Sequence, residues 1–152
     1  MLDLNIISRQ LEEASPHTRA LGIRLHELKR GFGVVVLDPR DTHIGLPDNG
    51  AVHGGILSTL IDTACGMTVL SVLSEPTSIA TLDLTLHHIK PSAPGTPLYA
   101  SAECCKVTSS IVFLRSIVYQ NSPENLIAHG STTFMLGANH TNLYLDRQKE
   151  SQ

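Results

Sequence analysis

Asn49-Gly50-Ala51-Val52-His53-Gly54-Gly55, continuing as Ile56-Leu57-Ser58-Thr59-Leu60-Ile61-Asp62-Thr63-Ala64-Cys65-Gly66-Met67, is the stretch around which the chain is arranged. A polar turn and glycines come first, and an apolar segment without proline runs on to Leu73. That order predicts a loop leading into a helix of about 18–20 residues, roughly 30 Å long at about 1.5 Å per residue. Apolar residues at 56, 57, 60, 61, 64, 67 and 70 keep a helical spacing, and Val69, Val72 and Leu73 widen the stripe. A helix apolar over most of its girth is expected to be buried. Asp62 is the one formally charged residue between Asp48 and Glu75. Burial strips a carboxylate of hydration and raises its proton affinity, unless donors hold it ionised.

Gly54 and Gly55 fall where the first N–H groups of a helix lack a partner within it. Such donors, at the positive end of the helix dipole, suit a carbonyl oxygen that gains negative charge during a reaction. Glycine also lets another molecule approach the backbone closely. An oxyanion donor and an isolated carboxylate on one helix suggest acyl-transfer chemistry. The plainer alternative is a tight helix start with a structural Asp, because buried acids are often structural.

His53-Gly54-Gly55, six residues, then Leu60-Ile61-Asp62-Thr63-Ala64 resembles the HGG…L-x-D-x-A signature of hotdog-fold acyl-CoA thioesterases, in the PaaI-like branch of the phenylacetate pathway. Thr81-Leu82-Asp83-Leu84 with Lys90-Pro91 is similar to the strand that follows the helix in that family, and Leu126-Ile127-Ala128-His129-Gly130 to its closing strand. The resemblance covers residues 20–136 and is most specific in the spacing from HGG to Asp62. It implies a hotdog fold and acyl-CoA as substrate; no cofactor and no metal are expected. It further implies a homodimer whose sheets join edge to edge, often paired into a homotetramer.

Composition narrows the remaining classes. The chain has 152 residues, enough for one domain with a real core. The layout divides it into an N-terminal arm or short helix (1–20), a thioesterase-like domain (21–136) and a polar C-terminal tail (137–152). A net charge of −3 offers no broad basic surface for nucleic acid or an anionic membrane. Three cysteines, two of them adjacent at Cys104 and Cys105, make no disulfide framework and read as buried thiols. Polar residues interrupt the longest apolar run, which argues against a membrane span. The N-terminus, with Asp3, Glu12 and Glu13, lacks a signal-peptide layout, so a cytoplasmic location is the expectation.

Along the chain, residues 2–14 read as a short helix ended by Ser15-Pro16. Gly22–Leu28 and Val34–Leu37 flank Gly31-Phe32-Gly33 as a hairpin, and 40–52 read as a loop over the helix start. Ile79–Ile89 alternates clearly, with Leu82, Leu84 and Leu86 on one face and Thr81, Asp83, Thr85 and His87 on the other. Leu98–Val107, Ile111–Gln120 and Leu126–Leu136 complete the strands, joined by connections short enough for antiparallel neighbours. One long helix and about six strands make an α+β protein in which an antiparallel sheet curves around the helix.

Thioester hydrolysis needs a donor that polarises the carbonyl and a group that activates water or attacks directly. Gly55 N–H is the candidate for the first role and Asp62 for the second, as base or nucleophile. Seven residues set them about 10 Å apart on one helix face, too far for one carbonyl carbon to meet both in the same chain. The reacting pair is therefore expected from two subunits, as the resemblance also implies. His53 beside Gly54 invites reading as a general base; the competing role, which the resemblance implies and which is favoured here, is to orient the loop or donate to the carbonyl. Gly54, Asn49 and Thr81 are expected at the substrate; Thr81 matches a hydroxyl position in some relatives, while its alternation off the leucine face suits a purely structural role equally. Where the family often has Asn, six residues before the His, this chain has Pro47, and Asn49 lies two residues along. His87-His88 reads as a strand pair, and no Cys/His spacing suits zinc. A hotdog hydratase or dehydratase and a non-catalytic acyl-CoA-binding protein are the other readings.

Overall fold

The computed structural model describes residues 6, 7, 9, 11 and 15–137. Within it a 19-residue helix, Gly54–Val72, runs along one side of a six-stranded sheet and touches every strand. The strands are β1 (Arg24–Lys29), β2 (Phe32–Leu37), β5 (Ile79–His88), β6 (Leu98–Val107), β7 (Ile111–Gln120) and β8 (Ser122–Leu136). They lie in the order β1-β2-β6-β7-β8-β5, antiparallel throughout. Two short strands, β3 (Ile44–Leu46) and β4 (Ala51–Val52), pair with each other inside the expected loop. One sheet curved around one helix is the hotdog fold.

The core forms where the apolar stripe of the helix meets the inward residues of the strands. Leu57, Leu60, Ile61, Ala64, Cys65 and Val69 pack against Val35, Leu37, Leu98, Ala100, Val112 and Val118, among others. Leu60 and Ile61 are fully buried, and each such side chain contributes roughly 1.5–3 kcal/mol. The opposite side of the helix is only partly covered by the described residues: Ile56, Asp62, Met67 and Leu70 are half-buried. By length and apolarity this helix could cross a membrane, but here it is the core helix of the sheet.

Three sequence expectations change in the structure. Ser15-Pro16 begins a helix, Pro16–Leu21, capped by the Ser15 hydroxyl, which accepts from Thr18 N–H at 3.3 Å. Proline suits that first position because its missing N–H would have had no partner there. Of the helix expected over 2–14, Ile6, Ile7, Arg9 and Leu11 are helical and the rest lies outside the described residues, as does the tail beyond Gly137. Second, Cys105 is exposed and Cys104 half-buried, because a bulge between Cys104 and Lys106 turns Cys105 outward.

The third change bears on function. β5 does not alternate evenly. Its register on β8 slips between Thr81, opposite Phe134, and Asp83, opposite Thr133, so Leu82 is the extra residue of a bulge. Leu82 is therefore 51% exposed, while Ile79, Leu84 and Leu86 pack on the core. The slip puts Thr81 on the helix side of the strand, opposite to the face that strict alternation assigns it.

Candidate active site

The start of the central helix is held from three directions. His53 N–H donates to the His43 carbonyl at 2.8 Å, Val52 N–H to the Ser92 hydroxyl at 2.9 Å, and Ala51 N–H to the Asn49 side-chain oxygen at 3.0 Å. His43 is itself buried and accepts from Arg40 N–H through Nδ1, which anchors the loop beneath. Burial, and secondarily the Arg40 charge, lowers the His43 pKa from the ordinary histidine value. Asn49 thus spends its oxygen on the turn before β4, and Pro47 lies exposed just after β3.

His53 is the N-cap, and its Nδ1 accepts from Gly55 N–H at 3.0 Å. An acceptor at Nδ1 puts the proton of the neutral ring on Nε2. The exposed imidazole therefore covers the Gly55 N–H. A Cβ at Gly55 would lie 3.1 Å from His53 Nδ1, and one at Gly54 would lie 3.2 Å from His88 Cε1. Glycine at both positions is what lets two imidazoles close on the backbone.

Asp62 stands two turns further along, half-buried on the side of the helix that the sheet leaves open. Thr81 Oγ1 donates to Asp62 Oδ1 at 2.8 Å. The bulge at Leu82 makes this bond possible by bringing Thr81 onto the helix side. One carboxylate oxygen is thus oriented by a neutral donor. One turn on, Cys65 is buried, and burial raises its thiol pKa to about 11, which leaves no thiolate nucleophile near neutral pH. Among the described residues no group of three or more His, Cys, Asp or Glu is arranged to hold a metal ion.

Residues 49–127, just over half of the chain, match the family model described as "Thioesterase superfamily". The chain belongs to this superfamily. A Halobacterium salinarum protein named as a candidate esterase is 34% identical over 110 residues, 71% of this chain and 63% of its own length. The match thus spans less than two thirds of that relative. A Pseudomonas aeruginosa crystal structure is 34% identical, with 88% of this chain and 98% of that one covered at a TM-score of 0.78. The phenylacetic acid degradation protein PaaI of Thermus thermophilus, solved as a mutant, is 25% identical, with coverage of 80% and 98% and a TM-score of 0.69. The HGG-to-Asp spacing thus sits in a thioesterase-superfamily chain of the PaaI-like kind.

Two cavities flank the helix start of this superfamily member. One, about 400 Å³, is lined by His53, Gly55 and Ile56 and by His17, Thr42 and Ile44 from earlier in the chain. The other, about 350 Å³, is lined by Val52, Gly54 and Leu57 and by His88, Lys90 and Pro91. His17 and Thr42 escape a reading of the sequence because no local pattern marks them. His17 sits on a short helix that Arg40 ties down through the Ala20 carbonyl, at 2.7 Å.

Proposed function

We propose that this protein hydrolyses acyl-CoA thioesters to a free acid and CoA, with Asp62 as base or nucleophile. The observation that carries the reading is Asp62, the sole charge of an apolar helix, turned out of the core and held through one oxygen by Thr81. Family membership supports thioester or ester hydrolysis in general; the acyl-CoA substrate and the residue roles are this proposal.

The thioester carbonyl takes the Gly55 N–H that His53 Nδ1 now accepts. The imidazole turns aside and donates Nε2–H to the same oxygen. Gly54 leaves room for the sulfur side, and Asn49 holds the turn that aims the loop. As base, Asp62 removes a proton from water, whose oxygen bonds to the carbonyl carbon; the C–S bond then breaks and the thiolate is protonated. As nucleophile, a carboxylate oxygen of Asp62 bonds to the carbonyl carbon and the C–S bond breaks to expel the CoA thiolate; water then opens the anhydride to the free acid and the Asp62 carboxylate, and its released proton goes to the thiolate.

Along one continuous helix Gly55 and Asp62 are about 10 Å apart, so each site joins Gly55 of one subunit to Asp62 of another. The half-buried Ile56, Met67 and Leu70 and the edge position of β5, with Leu82 exposed, support a homodimer formed there, with a dimer of dimers as a further step. Three free thiols suit a reducing, cytoplasmic setting.

The test is thiol release from a panel of acyl-CoAs, with Asp62→Asn beside the parent. Loss of about 10²–10⁴-fold in turnover is expected for a base or nucleophile. Activity within a few-fold of the parent removes Asp62 from the chemistry. Saturable binding without thiol release in the parent favours an acyl-CoA-binding protein instead. A single turnover in ¹⁸O-water places label in the Asp62 carboxylate only along the nucleophile route.

A further inference from the structure

The two cavities beside Gly54 and Gly55 differ in charge. The cavity reached past His88 carries Lys90, an exposed cation whose Nζ donates to the side-chain oxygen of Asn125 rather than to a carboxylate. Arg24, Lys29 and Arg115 are paired with Asp38, Glu27 and Glu103, whereas Lys90, like Arg19, Arg30, Arg40 and Lys106, has no ion pair among the described residues; of these Lys90 is the one in the wall of this cavity. The charge of Lys90 is thus left for an incoming anion, and an amide neighbour fixes the ammonium without neutralising it. The cavity on the His53 side has no Lys or Arg in its wall among the described residues; Ile44 and Ile56 are interspersed with Thr42 and His17. Its volume of about 400 Å³ is more than twice the roughly 150 Å³ of a cavity that holds benzene.

A CoA thioester has two unlike arms on its carbonyl carbon: an uncharged acyl group, and a pantetheine chain ending in phosphates. We propose that the substrate lies across the helix start with its phosphate-bearing arm along the His88–Lys90 cavity and its acyl group in the cavity walled by His17 and Thr42. This orientation rests on the acyl-CoA reading above. It assigns Lys90 to recognition of a phosphate, and His17 with Thr42 to selection of the acyl group. Two imidazoles mark the junction, His53 over Gly55 and His88 over Gly54, so the carbonyl carbon sits between the arms.

The experiment measures binding of CoA and of pantetheine by calorimetry, and kcat/KM across acyl-CoAs of different size and polarity, for the parent, Lys90→Gln and His17→Phe. Lys90 is exposed, so its substitution leaves the fold in place. One charged hydrogen bond to a phosphate corresponds to about tenfold in affinity. Lys90→Gln is therefore expected to narrow the CoA-to-pantetheine preference about tenfold, to flatten the salt dependence of CoA binding, and to lower kcat/KM by a common factor for all acyl groups. His17→Phe is expected to change the order of preference among acyl groups. A CoA-to-pantetheine ratio unmoved by Lys90→Gln, or a uniform effect of His17→Phe on every acyl group, overturns the orientation. Binding of CoA needs no turnover. If Lys90 sets that ratio and no thioester is cleaved, the orientation stands and the hydrolytic reading falls.

Discussion

Thr81 on the edge strand donates its hydroxyl proton to Asp62 on the central helix, Oγ1 to Oδ1, at 2.8 Å. The bond crosses from the sheet to the helix on the open side of the protein, and it exists because β5 is bulged at Leu82. A hydrogen bond to a charged group is worth about 1.5–3 kcal/mol, or roughly 10- to 100-fold in a rate when it orients a reacting carboxylate. Thr81→Val is expected to lower kcat by that factor with little change in KM, and Thr81→Ser to keep most of it. Steady-state kinetics on the two variants decide, and equal rates for Val and Ser would show that the hydroxyl only holds the strand.

The proposal that each site is shared between two subunits makes a prediction about mixing. Gly55→Pro removes the N–H within the first helical turn, where proline is tolerated, and Asp62→Asn removes the carboxylate. Each variant is expected to be inactive alone. Co-refolded chains are expected to regain activity in mixed dimers that pair an intact Gly55 with an intact Asp62. Mixed dimers shown by mass and still inactive would place both groups in one chain.

Asn49 and Pro47 test the loop before His53. Asn49 supports the turn through the Ala51 N–H, so Asn49→Ala is expected to cost about 0.5–1.5 kcal/mol in stability. A fall in kcat beyond that expected from the lost stability would show a direct contact with substrate. Pro47→Asn restores the residue that the family pattern often carries there. It is expected to raise turnover by less than the roughly 10²-fold of a well-placed oxyanion donor, or to leave it unchanged with some loss of loop rigidity.

His43 supplies a pH dependence of stability. Its folded pKa lies below the ordinary value of 6.5, so the unfolded chain binds the extra proton first as pH falls. The stabilisation from the neutral buried ring is complete above about pH 6.5 and is lost as pH drops through the lowered folded value. Urea midpoints measured from pH 8 to pH 5 are expected to fall more steeply for the parent than for His43→Gln. Parallel slopes would assign the acid sensitivity to other groups.

Much of the fold was legible in local pattern. The apolar spacing from 56 to 70, the glycines before it and the lone Asp62 mark the helix and its two polar stations, because helix periodicity and capping are properties of neighbours in the chain. The limits of β6 and β7 coincide with Leu98–Val107 and Ile111–Gln120 for the same reason. The three-residue and two-residue strands β3 and β4 left no trace, being too short to show alternation.

By itself, then, the sequence determined that one long helix carries His53, Gly55 and Asp62 at fixed spacing, since these positions depend only on residues a few places apart. Tertiary structure decided what those groups touch. Pairing of β5 with β8 across some fifty positions of chain set the bulge that aims Thr81 at Asp62. Packing of the first hundred residues around the helix start brought His17 and Thr42 to one cavity, and His88 and Lys90 to the other. Contacts of this kind join residues distant in the chain, and their register is set by the summed packing of a whole sheet, which no local run of side chains encodes.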